Sequence, residues 1–156
     1  MKIILRILSD TQQPILNYVW KATLLSLIPS LVIGVGVALA FPGNVPPLSG
    51  SNAFVICSGL ILSPWLETLL MWPVLSLIKR FTVKSTHVAV ASAILWGLLH
   101  SLAAPVWGLG VLWPFFVFSI CFLEWEKKSK RRAFGVTALV HMGQNLLPVI
   151  AILADR

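Results

Sequence analysis

Five acidic residues occur in the chain, and Asp10, Glu124, Glu126 and Asp155 all lie near the ends of apolar segments or in loops. Glu67 is the exception, set deep in the apolar stretch Pro64-Trp65-Leu66-Glu67-Thr68-Leu69-Leu70. His100 and His141 stand in similar surroundings, and Asn145 follows His141 by four residues. A carboxylate beside an imidazole can polarise a water molecule and take its proton. A second imidazole and an amide can donate hydrogen bonds to a developing oxyanion. Glu67, His100, His141 and Asn145 are therefore a candidate catalytic set, sufficient for peptide-bond hydrolysis without a covalent intermediate. Glu with two His is also a zinc-ligand combination. No HExxH spacing is present, however, and the reading without metal or cofactor is preferred. No GxSxG occurs and neither Cys57 nor Cys121 has an identifiable base partner, which argues against a serine or cysteine nucleophile. The cysteines form no CxxC pair and are expected to be small buried hydrophobes. His87, near Lys84 at an expected helix start, reads as an interfacial residue without a chemical role.

The elements that must carry these groups follow from composition. Hydrophobic residues make up 58% of the 156 residues and charged residues only 11%. A soluble domain carries about 25% charged residues, and a soluble fold this apolar would expose large aggregation-prone patches. Five segments are long enough to cross about 30 Å of hydrocarbon: residues 19–41, 52–78, 86–103, 107–123 and 133–153. The expected fold is all-α, one integral membrane domain built as a polytopic helix bundle. Ahead of it, Met1–Asn17 places Ile3, Ile4, Ile7 and Leu8 on one side of a helix, which suits an interfacial helix. Ala38-Leu39-Ala40 resembles a signal-peptide cleavage site, but the stretch ahead of the apolar run is long for a signal n-region, so the first span is expected to be retained.

The net charge of +7 is not a nucleic-acid signature, because eleven of the twelve Lys and Arg fall in three clusters before or between apolar runs. Lys2, Arg6 and Lys21 precede the first span; Lys79, Arg80 and Lys84 follow the second; Lys127, Lys128, Lys130, Arg131 and Arg132 follow the fourth. The intervening connections, Pro42–Ser51 and the turn near Ala104–Pro105, carry none. The positive-inside rule places the N-terminus in the cytoplasm and the C-terminus outside, in a plasma (inner) membrane. The loop Phe41–Gly50, with Pro42, Gly43, Pro46, Pro47 and Gly50, reads as an irregular turn.

Depth follows from the rise of ~1.5 Å per helical residue. Counted from Ile78, Glu67 lies about 16 Å in, and His100, counted from Thr86, about 21 Å. His141 and Asn145, counted from Ala133, lie about 12 and 18 Å in. Three helices thus bring polar groups to similar depth, where an ionisable side chain is costly and marks a functional site by default. The spacing of four puts His141 and Asn145 on one helix face, and Trp96 and His100 on another.

These motifs resemble the CAAX-processing and bacteriocin-processing (CPBP, or ABI) family of intramembrane glutamic proteases, which carries EExxxR, FxxxH and HxxxN on successive spans. Glu67-Thr68-Leu69-Leu70-Met71-Trp72 resembles the first, Trp96-Gly97-Leu98-Leu99-His100 the second with Trp for Phe, and His141-Met142-Gly143-Gln144-Asn145 matches the third. Thr68 stands where the family has its second glutamate, and Trp72 where it has arginine. The resemblance implies that Glu67 and His100 activate a water while His141 and Asn145 form the oxyanion site. The implied partner is a peptide or membrane-protein substrate presented within the lipid bilayer. The alternative is a catalytically silent relative that binds a membrane peptide or partner in the same cavity. A buried Glu and His would also serve a proton-relay or transport subunit.

Overall fold

The structure is a computed structural model that describes residues 1–42 and 50–154. Most of the Phe41–Gly50 loop, including Gly43, Pro46 and Pro47, lies outside the described residues, as does Asp155. The described residues form helices and no strand. In chain order these are α1 (Lys2–Ser9), α2 (Ile15–Ala40), α3 (Asn52–Ile56), a π-helical segment (Cys57–Leu62), α4 (Ser63–Ile78), α5 (Ser85–Ser101), α6 (Trp107–Glu126) and α7 (Lys130–Ala154). α3, the π segment and α4 run on as one helix of 27 residues. Among the described residues four helices are long and apolar enough to cross a membrane: α2, the α3–α4 run, α6 and α7. α5 has 17 residues and a length of about 26 Å.

Several boundaries differ from the expected ones for local reasons. α2 begins at Ile15, because Pro14 supplies a backbone already set for helix entry. α7 begins at Lys130, since Lys130, Arg131 and Arg132 are good helix formers as well as charge markers. The N-terminal helix ends at Ser9 and does not extend to Asn17. Its apolar side is tied down: Leu8 is fully buried, and the Tyr18 hydroxyl donates to the Leu8 carbonyl at 2.8 Å. Lys128 Nζ donates to the Thr11 carbonyl at 2.5 Å and closes the same corner.

α6 is the central helix, with Pro114 through Leu123 buried on all sides. α5 packs against it at a close crossing. A Cβ added at Gly108 would lie 2.2 Å from the Gly97 carbonyl oxygen, so only glycine admits this approach of backbones. Lys79 on the α4 side and Glu126 at the end of α6 pair at 2.5 Å. Cys121 is buried in α6, whereas Cys57, expected to be buried, lies on the outer surface of the π segment.

Two prolines determine how distant helices meet. Pro29 lies inside α2 and has no N–H to give the carbonyl four residues earlier, that of Leu25. Trp113 of α6 fills the gap, its indole N–H donating to the Leu25 carbonyl at 2.8 Å. Pro64 has a similar effect on the π segment. Ser63 N–H donates to the Ser58 carbonyl, five residues back. In that register the carbonyl of Gly59 would take its hydrogen from residue 64, which is proline. The Asn145 amide of α7 supplies it instead, donating to the Gly59 carbonyl at 2.9 Å. In a bilayer a freed carbonyl must find such a partner, because lipid offers none.

Candidate functional site

Glu67 sits in the second turn of α4, facing α5 and α7. Its Oε2 lies 4.0 Å from His100 Nε2 and 3.8 Å from His141 Nε2. These gaps exceed a direct hydrogen bond and fall within the reach of one shared water. Ser63, one turn earlier on the same helix, donates its hydroxyl to Glu67 Oε1. The carboxylate is thus held at one oxygen and presented at the other. The Glu67 side chain is 20% exposed, His100 14% and His141 5%.

The tautomer of His100 follows from its surroundings. Nδ1 lies 2.8 Å from the Trp96 carbonyl, which only accepts, so Nδ1 carries the proton. In this tautomer Nε2, the nitrogen nearer Glu67, would present its lone pair across the 4.0 Å gap. A water bridging this gap would give one hydrogen to Nε2 and the other to an ionised Oε2. Such a water would be held by both hydrogens, next to a group able to remove one of them.

Both imidazoles are held by aromatic rings. His141 stacks on Phe118 with centroids 4.4 Å apart and meets Phe115 at 5.7 Å. His100 meets Trp107 edge-on at 4.8 Å and Phe115 at 5.2 Å. Phe115 stacks in turn on Trp96 at 4.7 Å. The glycine crossing of α5 and α6 brings His100 and Trp107 this close. Sequence reasoning missed this collar, although Phe115 and Phe118 are three apart on one helix face. It also missed Ser63, whose spacing of four from Glu67 was the available signal.

Of the four residues singled out from sequence, Glu67, His100 and His141 converge. Asn145 lies one turn along α7 from His141, and its amide is engaged with the Gly59 carbonyl. From the observed helix ends, Glu67 and His141 are each about 16 Å in, and His100 and Asn145 about 22 Å in. The polar groups therefore occupy two levels, and the carboxylate with its histidines spans the gap between them. His87 is exposed in the first turn of α5. Thr68 is fully buried beside Glu67. Trp72 sits under Lys130, whose Nζ is 5.2 Å from the ring centroid, a cation–π contact joining α4 to the start of α7. Among the described residues no group of three His, Cys, Asp or Glu side chains is arranged to hold a metal ion. No protein-family model matches the chain, and no curated protein or solved structure does.

Proposed function

We propose that the chain is an intramembrane endopeptidase of the CPBP type, which hydrolyses a peptide bond with a water activated by Glu67 and His100. The observation that carries this reading is the carboxylate oxygen within 4.0 Å of two imidazole nitrogens. Glu67 takes the proton of the bound water, and the oxygen attacks the scissile carbonyl. His141, facing the same point, donates to the oxyanion that forms. Asn145 uses one amide N–H on Gly59 and has a second for the oxyanion site. The proton on Glu67 passes to the leaving amine. No cofactor takes part.

In this reading α5 is the fifth crossing and α1 lies on the cytoplasmic surface of a plasma (inner) membrane. The basic clusters at Lys79–Lys84 and Lys127–Arg132 support that orientation, with the N-terminus inside and the C-terminus outside. The substrate is a peptide or membrane protein that enters the bilayer.

The test is cleavage of a membrane-spanning peptide by the purified chain in liposomes. Wild type is expected to release product, and Glu67→Gln to release none at an unchanged melting temperature. Equal cleavage by the two proteins, or none by wild type across a peptide library, removes the hydrolase reading. A second reading, a silent relative that binds a membrane peptide, is favoured by Thr68 and Trp72 at the family's Glu and Arg positions. Retention of peptide binding by Glu67→Gln, without cleavage by either protein, would establish it.

A further inference from the structure

α1 and the start of α2 enclose a cavity of about 380 Å³. Ile3, Arg6, Ile7 and Asp10 line it from α1 and its C-terminal cap, Gln13 from the connection and Lys21 from α2. The helical repeat puts positions 3, 6, 7 and 10 on one stripe of α1, while Ile4, Leu5 and Leu8 pack into the bundle.

Two cations face this cavity. Lys21 Nζ donates to Gln13 Oε1 at 2.8 Å, and Gln13 Nε2 donates to the Asp10 carbonyl at 2.9 Å. These bonds hold the ammonium in place and spend only one of its hydrogens. The Arg6 guanidinium has no ion-pair partner among the described residues. Asp10 is the one carboxylate in the lining, and its Oδ1 accepts from the Gln12 N–H at 3.3 Å. Glu124, which borders Arg6 and Lys2 in a neighbouring cavity, is held by Lys127 at 2.7 Å. Two cations against one acid leave the first cavity with a single positive charge.

The rest of the surface is apolar. Ile3 is 75% exposed and Trp20, next to Lys21, 63%. Along α2 the exposed stripe runs on from Trp20 through Ile28, Val32, Val35 and Leu39.

We propose that this cavity binds the phosphodiester headgroup of an anionic phospholipid, in the leaflet at the basic end of the bundle. A phosphodiester carries a single negative charge, which matches the cavity. Arg6 offers a planar fork to two phosphate oxygens and Lys21 a point charge. Ile3 and Ile7 face the glycerol and its esters, Trp20 sits at headgroup depth, and an acyl chain follows the α2 stripe. A water-borne phosphate would use the same cations and none of the apolar floor, so the lipid is the better match. The site needs only that α2 crosses the bilayer with α1 beside its basic end, and it stands apart from the chemistry at Glu67.

The experiment is native mass spectrometry of the full chain in detergent, titrated with phosphatidylglycerol, phosphatidylcholine or inorganic phosphate. Wild type is expected to retain one phosphatidylglycerol in preference to phosphatidylcholine. R6Q/K21Q should lose about thirtyfold in that affinity, on the scale of two surface charges. R131Q/R132Q removes the same charge from the start of α7 and should bind as wild type does. No preference in wild type, or an equal loss in R131Q/R132Q, overturns the proposal. Displacement of the lipid by millimolar inorganic phosphate overturns it too, by assigning the cavity to a water-borne anion. Arg6 and Lys21 are both exposed, so R6Q/K21Q should melt as wild type does in phosphatidylcholine. If it does not fold, R6Q alone, which keeps the Lys21–Gln13 bond, is read instead, with an expected loss of about fivefold.

Discussion

Ser63 and Glu67 show how one spacing of four creates a directed carboxylate. The serine hydroxyl occupies Oε1 and leaves Oε2 for the two histidines. Without it the carboxylate turns more freely and spends less time aimed at the bound water. Ser63→Ala should therefore lower kcat by about tenfold, on the scale of one hydrogen bond to a charged group. KM should stay unchanged and Ser63→Thr should restore the rate. Steady-state kinetics on a membrane peptide would show this, and an equal loss in KM would assign Ser63 to substrate binding instead. The convergence of Glu67, His100 and His141 was legible in sequence because helical rise turns residue number into depth. The hydroxyl partner was not, because serine is common in membrane helices and its spacing gives no direction of donation. The aromatic collar was hidden for a similar reason: Phe and Trp read as span-forming residues until the rings are seen around the imidazoles.

The elements differ from ideal helices where prolines interrupt the hydrogen-bond ladder, and at Pro29 and Pro64 the freed carbonyl takes a side chain from another helix. Asn145→Ala should leave the Gly59 carbonyl unpaired and destabilise the bundle by about 1–3 kcal/mol. Trp113→Phe should do the same to the Leu25 carbonyl, with additional loss from the altered ring. Thermal or denaturant unfolding in detergent measures both. An Asn145→Ala protein of full stability but lost activity would place Asn145 in the chemistry rather than in the scaffold. The four helices long enough to cross were visible from apolar run length alone; the fifth expected segment forms α5, of 17 residues. The π segment was not, because Pro64 can be accommodated in several ways and the register depends on which carbonyl a remote amide can reach. The start of α7 was misplaced because a basic cluster reads equally as loop and as first helical turn. Cys57 was misplaced because apolar surroundings in sequence do not tell inward from outward faces.

At the scale of the whole molecule, the number of crossings decides where the chain ends. Five crossings put the termini on opposite sides of the bilayer, and four put them on the same side. Reporter domains fused to each end should read cytoplasmic at the N-terminus and outside at the C-terminus. Reporters on the same side would mean that α5 does not cross. Removing the charges of Lys127–Arg132 should increase the inverted population. The arrangement around α6 also bears on how the protein is made. Trp113 reaches back 88 residues to Leu25, and Asn145 reaches back 86 residues to Gly59. Synthesis delivers the N-terminal helices first. α2 and the π segment therefore enter the bilayer with backbone oxygens that nothing yet made can satisfy. They wait for donors encoded much later, so a nascent chain stopped before α6 carries an open defect in each of its early spans.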